Sequence, residues 1–94
     1  MSELAFTWDP VKAATNLRKH GVSFDEAASV FTNPLAKVLP DPTCRKGEDR
    51  VIMVGHSERG RLLLVVFAER DGRLRIISAR AVSRRERREY EEQS

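Results

Sequence analysis

Two periodicities divide this chain: apolar residues recur at helical spacing in its first third and at its end, and at strand spacing between. Leu4 to Trp8 predicts a short first or edge strand. Asp9-Pro10 then reads as an N-cap with proline at the first helical position, and the helix runs to about His20, where Gly21 supplies a left-handed stop. Ala13, Ala14 and Leu17 are its apolar stripe, while Lys12, Asn16 and Lys19, at i, i+4 and i+7, share a polar face. Ser23 and Glu26 are spaced as a capping box. Phe24, Ala27, Ala28 and Phe31 follow at helical spacing and predict a short helix whose apolar side is core, ended by Asn33-Pro34.

Leu35 to Leu39 predicts a strand, and Pro40 to Asp49 a polar loop. Three strands follow at Arg50–Ser57, Arg61–Ala68 and Leu74–Ala81, joined by the short links 58–60 and 69–72. Leu62 to Val66 is continuously apolar, which places that strand at the sheet centre, covered on both faces. Ser83 and Glu86 form a second capping box and open a C-terminal helix, with Tyr90 on the same side as Glu86 and expected to pack on the sheet. The order β-α-α-β-β-β-β-α predicts an α+β fold, a mostly antiparallel sheet packed by two N-terminal helices and a C-terminal helix, with the helices on one side.

Length changes this picture little: 94 residues suit a single domain spanning 1–94. Charge adds more. The net charge is +3, and residues 48–94 hold eleven Arg and no Lys. Arg presents a planar fork suited to bidentate phosphate contact, although a GC-rich coding sequence raises Arg over Lys just as well. Arg80, Arg84, Arg85, Arg87 and Arg88 surround the turn from the last strand into the last helix. Arginines at a helix N-terminus oppose its dipole, and the i,i+4 pairs Arg85–Glu89, Arg87–Glu91 and Arg88–Glu92 offset this by a few tenths of a kcal/mol each, roughly. A strand feeding an arginine-rich helix is a rigid platform for phosphates; a solvated helix laced with ion pairs is the plainer account.

Cys44, alone in the polar loop, permits no internal disulfide and fits a reducing cytoplasm. Met1 to Pro10 carries Glu3 and Asp9 and no long apolar core, so no leader is expected; no apolar run approaches the ~18 residues that span a membrane. Two histidines 36 positions apart, with no paired cysteines, make no zinc signature, and no metal or cofactor is expected. His56, Arg61 and Arg75 read as surface residues, though either arginine can extend a track of phosphate contacts.

Three segments in order, FTWDPVKAATNLRKHGVSFDEAASVF, GHSERGRLLLVVF and RIISARAVSRRERREYE, resemble the BrnT family of bacterial toxins. The specific parts are W-D-x-x-K, K-H-G-V-S-F and I-S-A-R-x-x-S-x-x-E-R; the loop 41–49 does not align. The resemblance implies a RelE-like fold and a metal-independent endoribonuclease that inhibits translation in the cytoplasm. It also implies a cognate BrnA-like antitoxin with a ribbon-helix-helix portion, through which alone operator DNA is contacted. The family's motif positions fall on Lys19, His20, Arg80, Ser83, Glu86 and Arg87.

Metal-free RNA cleavage needs a base for the 2′-OH proton, a cation for the pentacoordinate phosphate and an acid for the leaving 5′-oxygen. Arg80, at a strand end, is the candidate stabiliser, with Arg87 assisting. Glu86 is the candidate base, or only completes its capping box; His20 is the candidate acid, or only caps its helix. Lys19, Arg84 and Arg88 are candidate substrate contacts. A non-catalytic RNA-binding module or a partner-docking subunit needs the arginines but not His20 or Glu86.

Overall fold

The computed structural model describes residues 5–42 and 49–92, so Leu4, Cys44 and most of the polar loop lie outside the described residues. The elements are β1 (Phe6–Thr7), α1 (Pro10–His20), α2 (Phe24–Ser29) continued by a 3-10 turn at Val30–Thr32, β2 (Lys37–Pro40), β3 (Arg50–His56), β4 (Leu62–Arg70), β5 (Arg73–Ala81) and α3 (Arg84–Glu92). They form one five-stranded sheet in the order β1-β5-β4-β3-β2. β1 runs parallel to β5, and every other neighbouring pair is antiparallel. The α+β class and the central place of β4 are as expected from the sequence.

Local chemistry sets the boundaries. The Asp9 side chain accepts the Val11 N–H at 2.8 Å, and Gly21, at φ 68°, returns its N–H to Leu17 O to close α1. The β4–β5 hairpin is tighter than the expected four-residue link. Asp71 and Gly72 both take positive φ, the signature of a two-residue I′ turn, so Glu69 and Arg70 join the ladder. β2 ends on Pro40 at the sheet edge, where a missing N–H costs no pairing.

The sheet is packed on both faces, not one. On the first, Leu63, Val65, Ile76 and Ala79 meet Val22, Phe24, Ala27 and Val30 from α1's exit and α2, and the Phe31 ring makes edge contacts with Phe6 and Phe67 at 5.0 and 4.9 Å between centroids. On the second, Tyr90 of α3 packs with Val54 and Leu62, flanked by Ile52, Leu64 and Val82. The Tyr90 hydroxyl donates to Leu35 O at 2.8 Å, and its ring stands 6.0 Å from His56, which is half-buried rather than exposed. Apolar residues at consecutive positions of β4 make this two-sided burial possible, because neighbours point to opposite faces.

α1 departs from its predicted stripe. Ala14 is exposed and Leu17 is 52% exposed, whereas Asn16 is buried. Of the predicted stripe Ala13 packs against the core, and beside it the Asn16 amide attaches the helix to β5. α2's capping box is also half made: Ser23 Oγ accepts the Glu26 N–H at 3.0 Å, but the Glu26 carboxylate turns into the protein. There it accepts Ser57 Oγ–H at 2.7 Å and Arg61 Nε–H at 2.8 Å, with a second bond from Arg61 Nη2. Arg61 is therefore a structural ion-pair partner and not a free sheet-surface charge. Its hydrogen bond holds the buried carboxyl of Glu26 below the usual carboxylate range.

Candidate active site

A β-bulge shapes the second face of the sheet. Val66 pairs with Ser78 but Phe67 with Ile76, so Ile77 is the extra residue. Ile76 points to the first core, while Ile77 and Ser78 both line a cavity on the second face. Simple alternation predicts that Arg80 shares a face with Leu74 and Ile76; the bulge reverses this. Arg80 lies opposite Leu64, on the face that carries α3.

Asn16 brings α1 to this face. Its Nδ2 donates to Ala79 O at 2.8 Å and to Val22 O at 2.9 Å, and its Oδ1 accepts the Ala79 N–H at 3.1 Å. The C-terminal end of α1 is thereby fixed beside the C-terminal end of β5. His20, the last residue of α1, lines with Arg80 and Glu86 a cavity of about 500 Å³. Ile52, Leu64 and Val66 contribute apolar lining, and Arg50 and Asp41 line it too, 3.4 Å apart as an ion pair.

Arg80 is held by a bidentate pair: Nη1 to Glu86 Oε1 at 2.7 Å and Nη2 to Oε2 at 2.8 Å. Glu86 Oε1 also accepts the Ser83 N–H at 2.8 Å, and Ser83 Oγ accepts the Glu86 N–H at 3.1 Å. The capping box and the ion pair thus share one carboxylate. The Arg80 hydrogen bond, helped by Ser83, pulls the Glu86 carboxyl down to about 2 against the opposing effect of burial. A carboxylate so stabilised is a poor acceptor of a 2′-OH proton at neutral pH, which weighs against the role of base. It is well suited to orienting a guanidinium.

The other sequence candidates are more scattered. Lys19 lines a neighbouring cavity of about 260 Å³ with His20 and Ser78. Arg84, Arg87 and Arg88 are exposed on α3 and are absent from the lining of this cavity and of the one beside Lys19. Of the three expected i,i+4 pairs, Arg85–Glu89 closes among the described residues, at 3.2 Å. Arg50, Asp41 and Ser78 were not legible as site residues. β3 pairing and the bulge bring them there, and nothing in their local sequence marks it.

The site is thus an apolar-floored cavity on one sheet face of a small α+β domain, edged by His20 and two arginine–carboxylate pairs. A family model described as the ribonuclease toxin, BrnT, of type II toxin–antitoxin systems matches residues 8–86. The chain belongs to this BrnT family of ribonuclease toxins. Its structure is similar to the crystal structure of the Brucella abortus ribonuclease toxin, BrnT, with a TM-score of 0.68 and 27% identity, covering 87% of this chain and 100% of that one. No curated protein matches the chain by sequence. Membership in a type II system carries with it a protein antitoxin as partner. Among the described residues, no helix is long and apolar enough to cross a membrane.

Proposed function

We propose that the cavity between His20, Arg80 and Glu86 is the active site of a metal-independent endoribonuclease that inhibits translation. The observation that carries this reading is the convergence of His20 and Arg80, 60 positions apart, on one cavity whose arginine is clamped from behind. The substrate 2′-oxygen attacks the adjacent phosphorus as the P–O5′ bond breaks, leaving a 2′,3′-cyclic phosphate. Arg80 stabilises the charge that builds on the non-bridging oxygens, using N–H groups not turned to Glu86. His20, the last residue of α1, gives its proton to O5′, and the 2′-OH proton passes to water. Glu86 is a positioning residue for Arg80 and not the base. The cavity's two carboxylates, Asp41 and Glu86, are each ion-paired to an arginine, which supports chemistry carried by cations and an imidazole.

The partner in this reading is a cognate BrnA-like antitoxin whose ribbon-helix-helix portion contacts operator DNA. The exposed Arg84, Arg87 and Arg88 supply a basic docking surface for it, and the compartment is the cytoplasm. The test is cleavage of a defined RNA by the purified chain in excess EDTA. Full cleavage with 2′,3′-cyclic phosphate ends is expected. Activity lost in EDTA and restored by a divalent ion would overturn the mechanism.

A further inference from the structure

Ile77, the extra residue of the bulge, lines three adjoining cavities. One is the proposed active site. Another, of about 330 Å³, shares Arg50 and Ile77 with it and is bordered by Lys12, Arg70 and Arg75 together with Asp49 and Glu69. The third joins Lys12 to Lys19 and His20, with no carboxylate in its lining. Lys12 therefore stands between the second and third cavities, and Arg75 is half-buried on the same sheet face as Ile77. Counting Arg50 with its partner Asp41, the second cavity keeps three cations against two carboxylates.

We propose that this second cavity is a phosphate subsite for the RNA strand next to the scissile bond, with Lys12 and Arg75 as its binding residues. The proposal rests on the ribonuclease reading and extends it from one phosphate to a path. A half-buried apolar side chain on the floor between two arginine-bearing pockets suits a nucleic-acid strand, whose sugars and bases cross Ile77 while successive phosphates meet arginine or lysine on either side. The bulge is what makes the path continuous. With regular pairing, Ile77 and Ser78 would point to opposite faces, and the floor between the pockets would be interrupted.

The experiment compares Lys12→Ala/Arg75→Ala with the parent and with a charge-matched control, Arg18→Ala/Arg73→Ala, two exposed cations that line none of these cavities. The probe is a 2′-O-methyl oligoribonucleotide, which binds but has no 2′-OH to react. Its affinity is measured from low to moderate salt, and cleavage of RNA of increasing length is followed in parallel. The double variant should bind about tenfold more weakly. Its slope of log K against log salt should be shallower by about 1.4, as two lost contacts to a single strand require. The gain in kcat/KM on lengthening the substrate should shrink, through KM. Parent-like affinity, slope and length dependence would overturn the subsite, as would an equal loss in the control pair. A parent that bound the probe but cleaved no RNA would instead overturn the ribonuclease reading, and the binding comparison would still decide the subsite. A parent that bound no probe would overturn the subsite, and cleavage would still decide the ribonuclease reading.

Discussion

Asn16 pairs with Ala79 as a neighbouring strand would, donating to its carbonyl at 2.8 Å and accepting its N–H at 3.1 Å. β1 covers β5 at Leu74 and Arg75, so farther along the strand the helix side chain takes over the edge. Because the amide is 6% exposed and also bonds Val22 O, its loss leaves three buried backbone groups without partners. Asn16→Ala is expected to cost about 2–4 kcal/mol, since each buried unsatisfied group costs about 1–3 kcal/mol and some relax. For a domain of this size that lowers the melting temperature by roughly 10–20 °C. Asn16→Asp keeps the acceptor but sets a carboxylate against two carbonyls, and should be no better. A shift under about 2 °C in a thermal melt would show that α1 docks by other means.

Arg80→Ala is expected to lower RNA cleavage about a hundredfold to a thousandfold while leaving the fold and antitoxin binding intact. Removing a donor that stabilises developing oxyanion charge has effects of that order. Arg80 is 41% exposed, so screening limits its ion pair to about 1–2 kcal/mol and the melting temperature should fall by roughly 5–15 °C, short of unfolding. Growth arrest on induction and a melt of the purified variant are the measurements. Full toxicity would remove Arg80 from the site, and lost toxicity with a collapsed melting temperature would make it structural.

Glu86→Gln separates the positioning role from that of a base. The amide still accepts the Ser83 N–H but no longer forks with Arg80. Cleavage should fall about tenfold to a hundredfold through kcat, and the shape of the pH–rate profile between about pH 5 and 8 should not change. A lost acid limb in that range would restore Glu86 as the base.

The same carboxylate sets an acid limit on stability. Its folded-state value of about 2 lies below the ordinary 4.5, so its contribution is present above 4.5 and lost as pH falls towards 2. After allowance for screening at a site 30% exposed, this is about 1–2 kcal/mol. Urea unfolding between pH 6 and 2.5 should show the parent losing that much more than Glu86→Gln. Parallel curves would show that the ion pair does not govern acid stability.

Arg84→Ala/Arg87→Ala/Arg88→Ala tests the outer face of α3. Antitoxin affinity should weaken at least tenfold by calorimetry, while RNA cleavage changes less than tenfold, because none of the three lines the cavity. Parent-like antitoxin affinity in the triple variant would contradict the assignment of this surface.

The sequence determined by itself whatever depends on neighbouring residues. Asp9-Pro10 and Gly21 bound α1, Ser83 and Glu86 open α3, and the apolar run of β4 marks the sheet centre, because caps and hydrophobic period are local physics. Arg80 and His20 were nameable for the same reason: each ends an element, where a side chain is held but not covered. Tertiary structure alone decided how those elements face one another. A bulge at Ile77 reverses the alternation that leads to Arg80, and period-two reasoning contains no term for an inserted residue. Asn16 sits on a polar helix face by spacing, yet it is buried because an unpaired strand edge needs a donor and an acceptor there. Glu26 leaves its capping box for Arg61, 35 positions away, because a buried carboxylate binds a guanidinium more strongly than a backbone N–H. The Glu86 carboxylate completes its box and still clamps Arg80, since its two oxygens reach both partners only when strand and helix meet at that turn.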